Sequence, residues 1–346
     1  MDSAFKLATI SGNRLEVWKI GSLVLTVLKR TEEKITTLLD GRISTHIPPI
    51  SSLRDDYTNQ SPGYSFLLED NTTLQEARHR LLWVLTEDQS WKRPNGQWND
   101  GLTRAFLKTA EEINLNLLLL THMACGQPAR GTEMAKIQLR NAPNISRGVY
   151  IHGEDLMFVT RYNKVCYVLK SKSSKSSYVF LQTTSTTKQW KTICRFTFPA
   201  LTTAWLKYLI LLLKPIETFT QSLGGSTDVK NYVFWRGHGS RHNDLEAIRE
   251  PLQKLTAEKW GFPCSIRMWR HLAAGLSRKK RIHVDEGPDN SEDTPEDLQA
   301  GRSTEVSIRR YAVTEYERAV AQEERIDLFK ETSKRFQKEV LLLDFD

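Results

Sequence analysis

Cysteine is scarce in this 346-residue chain. Its four cysteines, Cys125, Cys166, Cys194 and Cys264, include no CxxC pair, so neither a disulfide framework nor a thiolate zinc site is signalled, and a reducing compartment fits. Long apolar runs are also lacking. The most apolar segment, LKYLILLLKP, is far short of the ~20 residues a membrane span needs, and the N-terminus carries no signal-peptide pattern. A soluble, intracellular protein without a membrane partner is expected. His152, His238, His242 and His283 show no metal-ligand spacing, and no internal repeat stands out. Acidic residues are nearly absent from one long stretch. Between Gln127 and Lys214 only Glu133, Glu154 and Asp155 oppose 14 Lys and Arg, a local net of +11 in a chain whose total is +8. A polyanion is the natural partner for such a field, and nucleic acid is the commonest. A solvated basic face would account for the charge alone equally well.

The length exceeds the ~250–300 residues at which one core stops growing, so two domains are expected, with a boundary near residue 100. The first hundred residues read as mostly helical. LVLTVLKRTEEKITTLLDG places apolar residues at Leu23, Val27, Leu28, Ile35, Leu38 and Leu39 before Gly41, and TTLQEARHRLLWVLTED repeats the pattern. A turn-rich connection, STHIPPISSLRDDYTNQSPGYS, lies between them, and EDQSWKRPNGQWNDG reads as a linker. Beyond it, LTRAFLKTAEEINLNLLLLTHMACG has helical spacing and stops at Gly126, and a new helix is expected in QPARGTEMAKIQLRN with Pro128 at its first position. RGVYIHG, DLMFVTRYN, VCYVLKS and SSYVFLQTT are short, β-branched and aromatic, which predicts a small antiparallel sheet. From FPALTTAWLKYLILLLKPIETF onward the chain is helical again, interrupted by GGSTDVKNYVFWRGHGSRHND and by the acidic loop VDEGPDNSEDTPED.

Several basic residues fall in a suggestive order. Arg130 and Glu133 stand three apart on one expected helical face, although R-x-x-E alone is a routine surface pair. Lys164 ends the strand LMFVTRYNK, 34 residues after Arg130. SIRMWRHLAAGLSR then carries Arg267, Arg270 and His271, and AGRSTEVSIRRYAVTEY sets Arg302 nine residues ahead of Tyr311.

That order resembles the tyrosine recombinase (integrase) family from Leu102 to about Glu317, most closely in AGRSTEVSIRRY, which looks like the family's Gly-His-x-x … Tyr box. The spelling GQPARGTEM … VTRYNK … WRH is similar to that of fungal, Crypton-type mobile-element recombinases. The resemblance implies an α+β, mainly helical fold. A helical DNA-gripping domain over residues 1–100 would be followed, over 101–346, by a mixed catalytic domain with a small antiparallel sheet and a C-terminal helix. It further implies a double-stranded DNA partner, a dimer on each site and a tetrameric synapse, and no cofactor. A nuclear location is implied if the host is eukaryotic, and a cytoplasmic one otherwise.

The chemistry explains the residue types. Cleaving a phosphodiester without a metal needs cations that match the two non-bridging oxygens, and guanidinium forks do so bidentately. Arg130 and Arg270 would be that pair, with Arg267 and Arg302 donating to the same phosphate and Glu133 and His271 in support. Tyr311 would attack phosphorus to form a 3′-phosphotyrosyl link, and Lys164 would protonate the departing 5′-oxygen. Arg161, Lys170, Lys172 and Lys175 are candidates for contacting the DNA. Histidine is commonest in the family at the position of Arg267, and histidine or tryptophan at that of Arg302. Arginine stays protonated, so the base that takes the Tyr311 proton is open between water, His271 and a lowered tyrosine pKa. Tyr316 rivals Tyr311, and Arg161 and Lys170 rival Lys164. The basic run SRKKRIH fits a nuclear-import patch or a DNA-facing helix end. The final segment, AQEERIDLFKETSKRFQKEVLLLDFD, reads as an amphipathic helix that caps its own core or docks on a neighbouring protomer. Two other function classes fit the same residues: a type IB topoisomerase-like nicking enzyme and a degenerate protein that only binds DNA.

Overall fold

The computed structural model describes residues 6–69, 72–143, 145–162, 191–225, 231–236, 241–242, 245–282, 295–299 and 315–344. The fold is mainly helical with a small antiparallel sheet, and among the described residues no helix is long and apolar enough to cross a membrane.

A hairpin of β1 (Leu7–Ile10) and β2 (Asn13–Glu16) precedes helix α1 (Trp18–Leu39). Val24, Val27, Leu28, Thr31, Ile35 and Leu39 bury one face of α1 at helical spacing, and the helix ends where Asp40 and Gly41 turn to positive φ. Helix α1 begins five residues ahead of the expected Leu23. The preceding segment contains Gly21, a poor helix former, and the reason is tertiary. A Cβ on Gly21 would fall well inside contact distance of the Leu341 carbonyl oxygen, so only glycine lets the C-terminal tail lie against the helix.

Helix α2 (Thr72–Glu87) follows, and then α3 (Asp100–Ala124), capped by the Asn99 carboxamide accepting from the Gly101 and Leu102 N–H groups. Every residue from Leu117 to Ala124 is buried, which makes α3 the central helix. Its polar residues are matched internally. Asn114 donates to the Tyr208 hydroxyl at 3.1 Å and the Val233 carbonyl at 2.7 Å and accepts from the Trp235 N–H, while Thr121 accepts from the Trp205 indole.

The expected helix at QPARGTEMAKIQLRN is a single turn, α4 (Gly131–Met134), with Pro128 outside it and Arg130 as its N-cap in extended conformation. Tertiary pairing claims the backbone that a longer helix would need. Leu139 N–H bonds the Asn231 carbonyl, Val233 N–H the Ile137 carbonyl and Asn141 N–H the Tyr64 carbonyl.

Strands β3 (Val149–His152), β4 (Asp155–Tyr162) and β5 (Lys191–Phe196) form an antiparallel sheet in that order. The first two answer to RGVYIHG and DLMFVTRYN. VCYVLKS, SSYVFLQTT and nearly all of the acidic loop lie outside the described residues. The third strand, KTICRF, is one that periodicity did not mark. Both faces of the sheet are covered, so its strands are almost continuously apolar. Leu156 and Phe158 face the main core beside Trp205, while Met157, Val159, Cys194 and Phe196 pack with Tyr150 and Phe329.

The chain then runs through α5 (Pro199–Lys207), a wide turn at Tyr208–Leu212, α6 (Leu213–Ser222), the short pair β6 (Trp235–Arg236) and β7 (Arg241–His242), α7 (Leu245–Trp260), α8 (Ile266–Ile282), α9 (Pro295–Gln299) and α10 (Glu315–Arg335). Of the two roles open to the C-terminal segment, the structure displays cis packing. Phe329 seals the sheet, and Phe336, Val340 and Leu343 join the main core.

The boundary anticipated near residue 100 coincides with the connection into α3. Buried side chains on both sides of it belong to one apolar cluster, from Leu15 through Leu85 to Leu343, so the core has no seam there. The turn-rich connection ahead of α2 is pinned to the sheet by a buried ion pair, Asp55–Arg147 at 2.6 Å, with Arg147 between the Tyr64 and Tyr150 rings.

Gly21→Ala is expected to destabilise the protein by about 1–3 kcal/mol in urea unfolding, because the added methyl displaces the tail at Leu341. A variant within about 0.5 kcal/mol of the parent would mean that the tail does not depend on this contact.

Candidate functional site

The residues that matter here converge on the loop between α3 and α4. Helix α3 stops at Gly126, whose φ of 109° is open to glycine and strained for other residues. A Cβ at that position would also stand 2.5 Å from the Gln299 Oε1 and 2.7 Å from the Ser333 hydroxyl. Gln127 follows, almost fully buried. Its N–H donates to Gln299 Oε1 at 2.8 Å, and its carboxamide nitrogen donates to the Ser277 hydroxyl of α8 at 2.6 Å.

Arg130 closes this loop. Its Nη1 reaches Glu133 Oε1 at 3.2 Å, and its backbone N–H points at Glu133 Oε2 at 3.4 Å, so one carboxylate braces both the guanidinium and the helix start. The pairing read from R-x-x-E is therefore present, although Arg130 precedes the helical turn and does not ride on it. The Arg130 side chain is 38% exposed and that of Glu133 12%, which leaves the arginine at the surface and its carboxylate partner beneath.

Helix α8 delivers Arg270 to the same loop. Its Nε donates to the Pro128 carbonyl at 3.2 Å, so two arginines 140 residues apart in sequence meet within three residues of backbone. Trp269, fully buried, fixes this register by anchoring α8 with its indole N–H on the His122 carbonyl at 3.4 Å. Arg267 and His271 lie a turn apart on the exposed side of α8. Arg161 is drawn inward: its Nη1 donates to the Ser146 and Arg147 carbonyls and its Nη2 to the Tyr150 hydroxyl. Lys164, Lys170, Lys172, Lys175, Arg302 and Tyr311 lie outside the described residues.

Three residues that periodicity and motif spacing passed over stand directly behind the arginine pair. Arg195 of β5 is 1% exposed and donates through Nε to the Gln127 carbonyl at 2.7 Å, through Nη1 to the Thr160 hydroxyl at 2.7 Å and through Nη2 to the Gln299 carbonyl at 2.8 Å. Among the described residues no carboxylate forms an ion pair with it. Burial lowers its pKa to about 10, opposed by the Glu133 charge, and it stays a cation at neutral pH. Gln299 is fully buried, its carboxamide also donating to the Cys194 and Phe329 carbonyls and to Ser333. His122, in the last turn of α3, is buried, and among the described residues neither ring nitrogen has a hydrogen-bond partner. Burial first, then the Arg195 and Arg270 charges, bring its pKa from 6.5 to about 3. Only a basic residue at a core-facing strand position could have marked Arg195 in the sequence.

The other described titratable groups offer less. Burial raises the thiols of Cys125, Cys194 and Cys264, Cys194 to about 11 and Cys264 to about 12, so each is held as the protonated thiol. Among the described residues no group of three or more His, Cys, Asp and Glu is placed to hold a metal. A cleft of about 480 Å³ lined by Leu53, Asp55, Tyr57, Ile151 and Glu154 contains none of the arginines. No family model matches the chain, and no curated protein or solved structure matches it either.

Chemically, the arrangement is a surface guanidinium braced by a carboxylate, a second guanidinium held against the same loop, and a third cation buried behind both. Such a cluster suits a planar or tetrahedral oxyanion. Its pH signature follows from His122. The unfolded imidazole binds a proton below 6.5 that the folded one refuses until about 3, so this residue removes stability as the pH falls through that window. His122→Leu is expected to flatten the fall in unfolding free energy between pH 6.5 and 4 relative to the parent. Parallel profiles for the two proteins would contradict the assignment.

Proposed function

We propose that the chain is a DNA breaking-rejoining enzyme of tyrosine recombinase type, acting on duplex DNA in the integration or excision of a mobile element. The observation that carries this reading is the meeting of Arg130 and Arg270 at one loop, through the bond from Arg270 Nε to the Pro128 carbonyl and the Arg130–Glu133 pair. The motif order requires these two residues to share one phosphate. The +11 charge of residues 127–214 supports it, since a field of that sign gathers DNA.

In this mechanism the two guanidiniums hold the non-bridging oxygens of the scissile phosphate and stabilise the charge that grows on them in the pentacoordinate transition state. The Tyr311 oxygen bonds to phosphorus as the bond to the 5′-oxygen breaks. The Tyr311 proton leaves to water or to His271, and Lys164 gives a proton to the 5′-oxygen. The phosphotyrosyl ester conserves the bond energy, and the 5′-hydroxyl of another strand reverses the step with Tyr311 as leaving group. Strand exchange calls for a dimer on each site and a synapse of two dimers.

A nicked suicide duplex carrying the ends of the element tests this. The wild type is expected to give a protein–DNA adduct that survives a denaturing gel, Tyr311→Phe none, and Arg130→Ala or Arg270→Ala at least ~100-fold less. A wild type without adduct, or an undiminished one with Tyr311→Phe, would overturn the mechanism. A wild type that forms the adduct and relaxes a supercoiled plasmid but never joins a second site would indicate the type IB topoisomerase-like alternative.

A further inference from the structure

The fully buried Arg195 is absent from the motif order, yet it touches the loop that ends in Arg130. We propose that Arg195 is a positioning residue, which sets the 127–130 loop for anion binding and couples it to α9 through Gln299. The proposal rests on the phosphate-binding reading of Arg130 and Arg270.

The geometry argues for a positioning role. Arg195 uses its three donor nitrogens on three separate pieces of chain: the Gln127 carbonyl beyond α3, the Thr160 hydroxyl on β4 and the Gln299 carbonyl at the end of α9. Gln299 returns to the same loop by accepting from the Gln127 N–H, so Gln127 is gripped at both its N–H and its carbonyl. The next carbonyl, that of Pro128, is taken by Arg270. Consecutive carbonyls thus receive a buried and a partly buried guanidinium, and the backbone between them has little freedom to re-aim Arg130, two residues on. An apolar side chain at 195 would fill the space more cheaply, because a buried cation without a carboxylate partner costs stability. Keeping a guanidinium there makes sense where a planar fork must satisfy three acceptors that diverge, something a lysine ammonium cannot do in one position.

Three variants test this: Arg195→Lys, which keeps charge and loses the fork, Arg195→Gln, which keeps a donor and loses charge, and Arg130→Ala. Hydrogen exchange is measured on the free protein. Both Arg195 variants are expected to speed exchange of amides in residues 126–133 by about tenfold or more while α1 and α2 keep their protection. Binding of a fluorescent duplex of arbitrary sequence is then compared in a double-mutant cycle. Arg195→Gln and Arg130→Ala each weaken it by about tenfold, and together by no more than about tenfold, because one acts through the other. Independent effects multiplying to about a hundredfold, exchange that quickens equally everywhere, or an Arg195→Lys protein indistinguishable from wild type would each overturn the positioning role. Should Arg195→Gln fail to fold, Arg195→Lys carries both measurements. A wild type with no duplex affinity would defeat the DNA reading instead, and the exchange result would then decide the positioning claim by itself.

Discussion

One buried guanidinium ties the chain together where it matters. Arg195 and Gln299 between them accept or donate at the end of α3, at β4, at the β5 backbone and at α10, segments spread over some two hundred residues of sequence. Most helices here could be repacked by changing apolar side chains of similar volume. This cluster could not, since each carbonyl left without its donor would be a buried polar group with no water to replace it. The arginine pair at the surface inherits its geometry from that constraint: the Gln127–Pro128 backbone is set from below, and Arg130 and Arg270 are aimed from it.

The same logic explains why the N-terminal helices and the remainder share one core. Helix α3 is buried on all sides over its last two turns, and Asn114 and Thr121 carry hydrogen bonds outward to α5, the wide turn and β6. Helix α1 lies against α3 and, through Gly21, against the C-terminal tail. The tail therefore closes a circuit from the last helix to the first, and the connection near residue 100 packs Trp91 and Trp98 on the Phe219 ring.

The parts of the fold legible in the sequence were those where local preference and tertiary structure agree. Helices α1, α2 and α3 show clean apolar spacing, Gly126 stops α3 where the turn needs a positive φ, and β3 and β4 are rich in residues that suit a pleated surface. The rest was hidden by conflict between the two levels. KTICRF does not read as a strand because Arg195 occupies a core-facing position that pattern reserves for an apolar side chain. The segment after Arg130 has helical composition, but its backbone groups are taken by pairing with residues 231–233 and with Tyr64. In the site, the Arg130–Glu133 pair could be anticipated from its i, i+3 spacing, and Arg270 bonds the same loop in the fold. The supporting Gln127, Gln299 and His122 could not, because nothing in their neighbours distinguishes them until the chain is folded.

A phosphate held jointly by two arginines is the centre of this account. The most direct measurement is a structure of the protein bound to a short duplex. A backbone phosphate contacting both the Arg130 and the Arg270 guanidiniums is the expected result. Duplex seated on another face, or a phosphate that reaches neither arginine, would contradict it.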